Sequence, residues 1–254
     1  KIENLSNSQD TQLLQKALNE DSETVDIHHA GTAMRFLTSF YAIQEGRKTI
    51  LTGSERMKQR PIKPLVDALR ELGAEINYLE NEGFPPLEIH GKRIEKNFVK
   101  IPANISSQFI TSLLLIGASL ENGLEIELKG EITSRSYIKM TLKILKDIGI
   151  ESRFERNSIK ILSSETSLYN KQLEKHFHTS KIKHYTVESD WSSASYFYSL
   201  AAIGKKRIHL KSFYAYSLQG DSALKNIYLK FFGVNTISDA GENKITLLPD
   251  THFQ

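Results

Sequence analysis

The hydrophobic and polar positions repeat three times along the chain. Residues 65–76, 142–152 and 227–236 each hold an apolar-striped helical stretch, then a glycine, then an alternating strand, with Gly73, Gly149 and Gly233 at the junctions. Glycine stands where a helix C-terminus favours a left-handed residue, so each pattern predicts a helix that stops there and a chain that turns into a strand. A second series precedes these three. Residues 31–44, 106–120 and 192–203 begin on small or hydroxyl residues, continue as apolar helices, and lead through Gly46, Gly123 and Gly204 into the strands 48–52, 124–128 and 207–210. The predicted unit is therefore helix, strand, loop, helix, strand and a returning strand, roughly 80 residues long, which argues for α/β layers with helices on one sheet face.

The series is incomplete at both ends. Residues 12–18 resemble the second helix of an earlier unit whose first half is missing, and the chain stops soon after the strand near Ile245, so both ends look cut from something longer. Residues 167–183 are polar, rich in histidine and without a period, the best place for a linker.

If the units surround a common centre, their equivalent helix starts converge. Three starts carry small or hydroxyl residues: Gly31 with Thr32, Ser106 with Ser107, and Ser192 with Ser193. A helix N-terminus has free N–H groups and a partial positive charge, which suits an anion, although Ser and Thr are also ordinary caps. The loop after the first strand weights the choice. It runs from Gly53 to Pro61 and holds Arg56, Lys58 and Arg60, while the equivalent loop of the second unit holds Ser134, Arg135, Ser136 and Tyr137. Arginine offers a planar fork for carboxylate or phosphate, and lysine a point charge.

Composition narrows the class. The 254 residues include 39% hydrophobic and 25% charged positions, ordinary for a globular protein with a sizeable core. A net charge of +3 gives no case for nucleic acid, and the absence of cysteine excludes a disulfide framework and fits a cytoplasmic setting. No stretch has the length of a membrane span, and the eight histidines show no ligand spacing on a helix, so neither a membrane nor a metal is expected.

At the same residues the chain resembles the 5-enolpyruvylshikimate-3-phosphate synthase (EPSP synthase) family. Five motifs carry the likeness in order and spacing: Gly31-Thr32-Ala33-Met34-Arg35, residues 51–61 with Arg56 and Arg60, Ser106-Ser107-Gln108-Phe109, Ser134-Arg135-Ser136-Tyr137, and residues 190–197 beginning at Asp190. The resemblance implies an inverse α/β barrel of βαβαββ units in two domains, here 1–186 as most of a substrate-binding domain and 187–254 as the beginning of a second, incomplete one. It implies transfer of the carboxyvinyl group of phosphoenolpyruvate to the 5-hydroxyl of shikimate 3-phosphate, by a monomer needing no cofactor or metal. Gly31, Arg56 and Gln108 fall where relatives bind phosphoenolpyruvate, with Gln108 and Arg56 closest to the chemistry. Ser106, Ser107, Gln108, Ser134 and Tyr137 fall where they bind shikimate 3-phosphate, and Thr32, Arg35 and Asp190 are supporting positions.

The departures are informative too. Relatives have a Lys-Ser motif upstream and an Asp proton acceptor with further cations downstream, so the chain as written is expected to show little or no catalysis alone. His29 stands where many relatives have Asn, and Phe36 where many have Pro. Two other readings compete: a non-catalytic shikimate 3-phosphate-binding fragment, and the sister enolpyruvyl transferase acting on UDP-N-acetylglucosamine, which often uses a loop cysteine that is absent here.

Overall fold

The computed structural model describes residues 2–164, 185–239 and 241–253. The chain divides into two compact units, 1–179 and 180–254. The expected linker at 167–183 lies outside the described residues.

The first unit opens with α1 (Gln9–Asn19), capped by Ser8, and passes directly into β1 (Thr24–Asp26) with no hairpin between. Two copies of one motif follow. The first copy is β1, α2 (Gly31–Ala42), β2 (Lys48–Thr52), the short α3 (Glu55–Lys58), α4 (Lys63–Leu72), β3 (Glu75–Tyr78) and β4 (Leu87–His90). The second is β5 (Phe98–Pro102), α5 (Ser107–Gly117), β6 (Leu124–Lys129), α6 (Arg135–Asp147), β7 (Ser152–Glu155) and β8 (Ser158–Ile161). Each forms a four-stranded sheet, β1-β2-β4-β3 and β5-β6-β8-β7, in which the first pair is parallel and the rest antiparallel. A parallel pair needs a crossover helix, which α2 and α5 supply, whereas the antiparallel ends close by short turns.

Helix burial follows from these roles. α4 buries Leu65, Val66, Ala68, Leu69 and Leu72, a stripe at helical spacing, and leaves its other face in water. α2 and α5 pack against each other, and nine of twelve and seven of eleven of their residues are buried. Small polar groups at this contact are satisfied internally. The Ser112 hydroxyl donates to the Arg35 carbonyl at 2.7 Å and lies 2.6 Å from the Ser39 hydroxyl, so the two helices are joined by hydrogen bonds inside an apolar core.

The second unit carries α7 (Trp191–Gly204), β9 (Ile208–Lys211), a 3-10 turn, α8 (Leu224–Phe232), β10 (Val234–Asp239) and β11 (Lys244–Pro249), with sheet order β10-β11-β9. Its opening segment is not a strand among the described residues, yet one bond of the motif is kept. Ser189 N–H donates to Ser212 O at 2.7 Å, as Ile27 N–H does to Thr52 O and Ala103 N–H to Lys129 O. A separate small core gathers around Trp191, Tyr198, Phe213, Ile245 and Leu247.

The capping glycines behave as expected, with φ of 108°, 98° and 61° at Gly73, Gly149 and Gly233. Gly204 does not make the third turn. It ends α7 in helical conformation, and Lys205 takes the left-handed position at φ 48°. Among the described residues no helix is long and apolar enough to cross a membrane.

Candidate functional site

The topology brings the helix starts of the first unit to one end. β1 and β2 run parallel, as do β5 and β6, so the helices that follow them begin at the same edge of each sheet. α2 and α5 also run in the same direction. Gln108 Nε2 donates to Thr32 Oγ1 at 3.1 Å, and one turn further along Ser112 meets Arg35 and Ser39. Thr111 and Thr141 hydroxyls, 3.3 Å apart, tie α5 to α6. Gly31, Thr32, Arg35, Ser106, Ser107 and Gln108 are therefore neighbours, with Ser134 and Tyr137 at the adjacent start of α6.

The loop after β2 is fastened over this end. Ser54 caps α3, its hydroxyl lies 2.7 Å from His29 Nδ1, and its N–H donates to His28 O. His29 thus anchors the cationic loop. The three cations of that loop have different fates. Lys58 pairs with Glu80 at 2.9 Å and Glu55 at 3.4 Å, and its ammonium is pushed above the usual lysine range, first by the Glu80 hydrogen bond. Arg56 is exposed, and its side chain has no ion pair or hydrogen bond among the described residues. Arg60 is exposed as well, with its guanidinium laid against Gly31. A Cβ built on Gly31 would lie 2.2 Å from Arg60 Nη1 and 3.0 Å from Arg35 Nη1.

Arg35 is an unusual core residue. It is only 5% exposed, its Nη1 donates to Gly31 O at 2.8 Å, its Cζ sits 5.8 Å from the Phe109 ring centre, and its buried Nε has no partner. Burial, and then the neighbouring Arg60, bring its guanidinium down to about 10. Sequence reasoning placed Arg35 as support and left Arg60 out of the site. The only local signal for Arg60 was its place among the loop cations.

The helix starts differ in what already occupies them. Ser106 caps α5 through a long bond from Gln108 N–H, 3.4 Å. Ser134 stands at the cap of α6 without making a side-chain cap bond, which leaves its hydroxyl outside the helix's own hydrogen bonding. Tyr137 is 46% exposed on the first turn of α6. Ala30 offers no side chain to cap α2. The start of α7, in the second unit, is filled by its own carboxylate: Asp190 accepts from Ser192 N–H at 2.9 Å, Ser193 N–H at 3.1 Å and Ser193 Oγ at 2.6 Å. Phe36 lines a groove of about 770 Å³ with Leu14, Leu18, Phe40 and Leu115, on residues of α1, α2 and α5 beyond the helix starts.

Asp190 carries a pH prediction. Burial raises its carboxyl, but the hydrogen bonds from Ser193 and Ser192 outweigh this and hold it below the usual range. A lowered native value means stability that is present above the unfolded value of about 3.9 and is lost as pH falls through the lower native one. Trp191, the only tryptophan, adjoins Asp190 and reports on this unit. Thermal unfolding followed by its fluorescence is expected to show a steeper loss of stability below about pH 4 in the parent than in Asp190→Asn. Identical pH profiles would contradict the capping role.

Comparison with solved structures defines the class. The chain aligns with the EPSP synthase of Acinetobacter baumannii at a TM-score of 0.61, 21% identity, covering 89% of this chain and 48% of that one. It aligns with the enolpyruvyl transferase NikO of Streptomyces tendae at 0.53 and 15% identity, covering 88% and 48%. The fold is that of the enolpyruvyl transferases, the inverse α/β barrel of repeated units. Within this class, the family model for EPSP synthase (3-phosphoshikimate 1-carboxyvinyltransferase) matches residues 2–249, and the chain belongs to that family. A 3-phosphoshikimate 1-carboxyvinyltransferase of Bacteroides fragilis is 45% identical over 236 residues, 92% of this chain and 54% of the relative. One of Haemophilus influenzae is 41% identical over 216 residues, 83% of this chain and 46% of the relative. The chain spans about half the length of the curated relatives it matches.

Proposed function

We propose that the chain is the shikimate 3-phosphate-binding part of an enzyme that transfers the enolpyruvyl group of phosphoenolpyruvate to the 5-hydroxyl of shikimate 3-phosphate. Phosphoenolpyruvate gains a proton at C3 while the 5-hydroxyl attacks C2 and loses its own. The tetrahedral intermediate then releases phosphate and a methyl proton to leave the enol ether. Residues 1–186 form most of the substrate-binding domain and 187–254 begin the second. The protein acts as a cytoplasmic monomer without cofactor, nucleic acid or membrane.

The observation that supports this most is the meeting of the α2 and α5 starts, bonded through Thr32 and Gln108, under a loop whose Arg56 and Arg60 are not neutralised by carboxylates among the described residues. Such a site offers hydrogen-bond donors and fixed positive charge where anionic groups bind and charge develops. In this arrangement Ser106, Ser107 and Ser134 take the 3-phosphate, Tyr137 lines the ring, Gln108 touches both substrates, and Gly31 and Arg56 take phosphoenolpyruvate.

Calorimetry on the chain tests the assignment. Shikimate 3-phosphate is expected to bind more tightly than phosphoenolpyruvate, because all three serines assigned to its phosphate belong to this chain. Tighter binding of phosphoenolpyruvate, or of UDP-N-acetylglucosamine, would overturn it.

A further inference from the structure

The helix that carries Arg56 has four residues, too few to hold a helix by its own hydrogen bonds, so the orientation of α3 depends on how it is tied. Met57, 1% exposed, anchors one side in the core. Ser54 anchors the start: its N–H donates to His28 O at 3.1 Å, its carbonyl accepts from Lys58 N–H at 3.0 Å, and its hydroxyl accepts from Met57 N–H at 3.3 Å while lying 2.7 Å from His29 Nδ1. Among the described residues His29 is the only side chain from outside this loop that hydrogen-bonds Ser54. The bond is possible in either tautomer of the ring. With Nε2–H, Nδ1 accepts the serine proton; with Nδ1–H, the serine oxygen accepts from both the ring and Met57. The His28 ring, 4.1 Å from that of His29 between centres, limits how the imidazole can turn.

We propose that His29 is a positioning residue: through Ser54 Oγ it fixes the start of α3 and so sets where the Arg56 guanidinium stands. The imidazole itself touches no substrate. The main-chain tie from Ser54 N–H to His28 O is open to any side chain, whereas the tie to the hydroxyl requires a polar atom bonded to Cγ at position 29. Asparagine meets that requirement, because its amide atoms sit on Cγ as Nδ1 does. Glutamine places them one bond further out, and alanine has none. Loss of one such hydrogen bond costs roughly two- to ten-fold in an equilibrium that depends on it, which bounds the expected effect. That Arg56 takes phosphoenolpyruvate rests on the functional reading above; the control of α3 by His29 does not.

Two NMR measurements on the chain test this. The first, without ligand, follows hydrogen exchange at the Met57 and Lys58 amides and the position of the Arg56 Nε–H signal, with the Met34 amide of α2 as an internal reference. The second is a titration with phosphoenolpyruvate and, separately, with shikimate 3-phosphate. The proteins are the parent, His29→Ala, His29→Asn, His29→Gln, Ser54→Ala and the His29→Ala/Ser54→Ala pair. His29→Ala is expected to speed exchange at Met57 and Lys58 by roughly five-fold, to move the Arg56 signal and to leave Met34 unchanged. It should weaken phosphoenolpyruvate by a similar factor and change shikimate 3-phosphate by less than about two-fold. His29→Asn should stay within about two-fold of the parent in every readout, while His29→Gln should behave as alanine does. Once Ser54 is alanine, removing the imidazole should add little. Exchange and an Arg56 signal indifferent to His29→Ala, no rescue by asparagine, additive losses in the pair, or equal weakening of both ligands would overturn the proposal. The ligand-free effects with rescue, but without phosphoenolpyruvate binding by the parent, would uphold the control of α3 and overturn the functional reading of Arg56. Phosphoenolpyruvate binding that His29→Ala leaves untouched would uphold that reading and overturn the role of His29.

Discussion

Arg56→Lys is expected to weaken the response to phosphoenolpyruvate by about ten- to a hundred-fold while leaving shikimate 3-phosphate nearly unchanged. Arg56 lies on the short α3, exposed and without a partner among the described residues, while its neighbour Lys58 is held by Glu80 and Glu55. A solvated loop charge would tolerate lysine, since exposed charges are typically worth less than about 1 kcal/mol. A guanidinium that grips an anion with two parallel bonds would not, because lysine keeps the charge and loses the fork. The measurement is steady-state kinetics in a chimera in which the Bacteroides fragilis relative supplies the part of its length that this chain does not span. Both substrates are titrated. Equal losses for the two substrates, or none, would show that Arg56 does not bind phosphoenolpyruvate.

Trp191→Ala should be the most destabilising single change in the second unit, by about 3–5 kcal/mol. The indole is fully buried, stacks edge-on to Phe213 at 5.0 Å between ring centres, and donates Nε1–H to Glu188 at 2.9 Å. Glu188 also accepts from Tyr214 N–H, the Ser217 hydroxyl and Gln219 Nε2, so the cavity would open beside a carboxylate that fastens the loop after β9. A core this small has little stability in reserve, and losses of this size exceed what most small units can absorb. Backbone NMR is expected to show residues 185–253 losing their dispersed signals while those of the α2–α5 core persist. A variant with both sets of signals intact and an unchanged melting temperature would refute the account.

The three-fold pattern was legible because its signals are local. A helical stripe ending in glycine needs only the residues of one element, and at Gly73, Gly149 and Gly233 the left-handed backbone is present as the string implied. The strands that open the motif were harder to see, since β1 has three residues and cannot display an alternation. Gly204 departs from the glycine rule: although glycine is the favoured left-handed residue, it stays in the helix and Lys205 takes that conformation, for which the structure gives no reason. The recurrence of small residues at helix starts was also visible, and with it the residues that the family motifs single out.

What the string could not say is which of those starts is empty and which cations are free. Asp190 closes the start of α7 with its own carboxylate, while Ala30 leaves the start of α2 open. Lys58 is neutralised by a glutamate 22 positions away, and Gln108 reaches a threonine 76 positions away. Arg60 lies beside Arg35 at Gly31, although the two arginines are 25 positions apart in sequence, on a loop that Ser54 fastens to His29. Periodicity and capping act over one or two turns, whereas charge pairing and burial act between whatever segments the sheets and helices bring together, so the tertiary structure alone decided which of the loop cations are paired with carboxylates among the described residues.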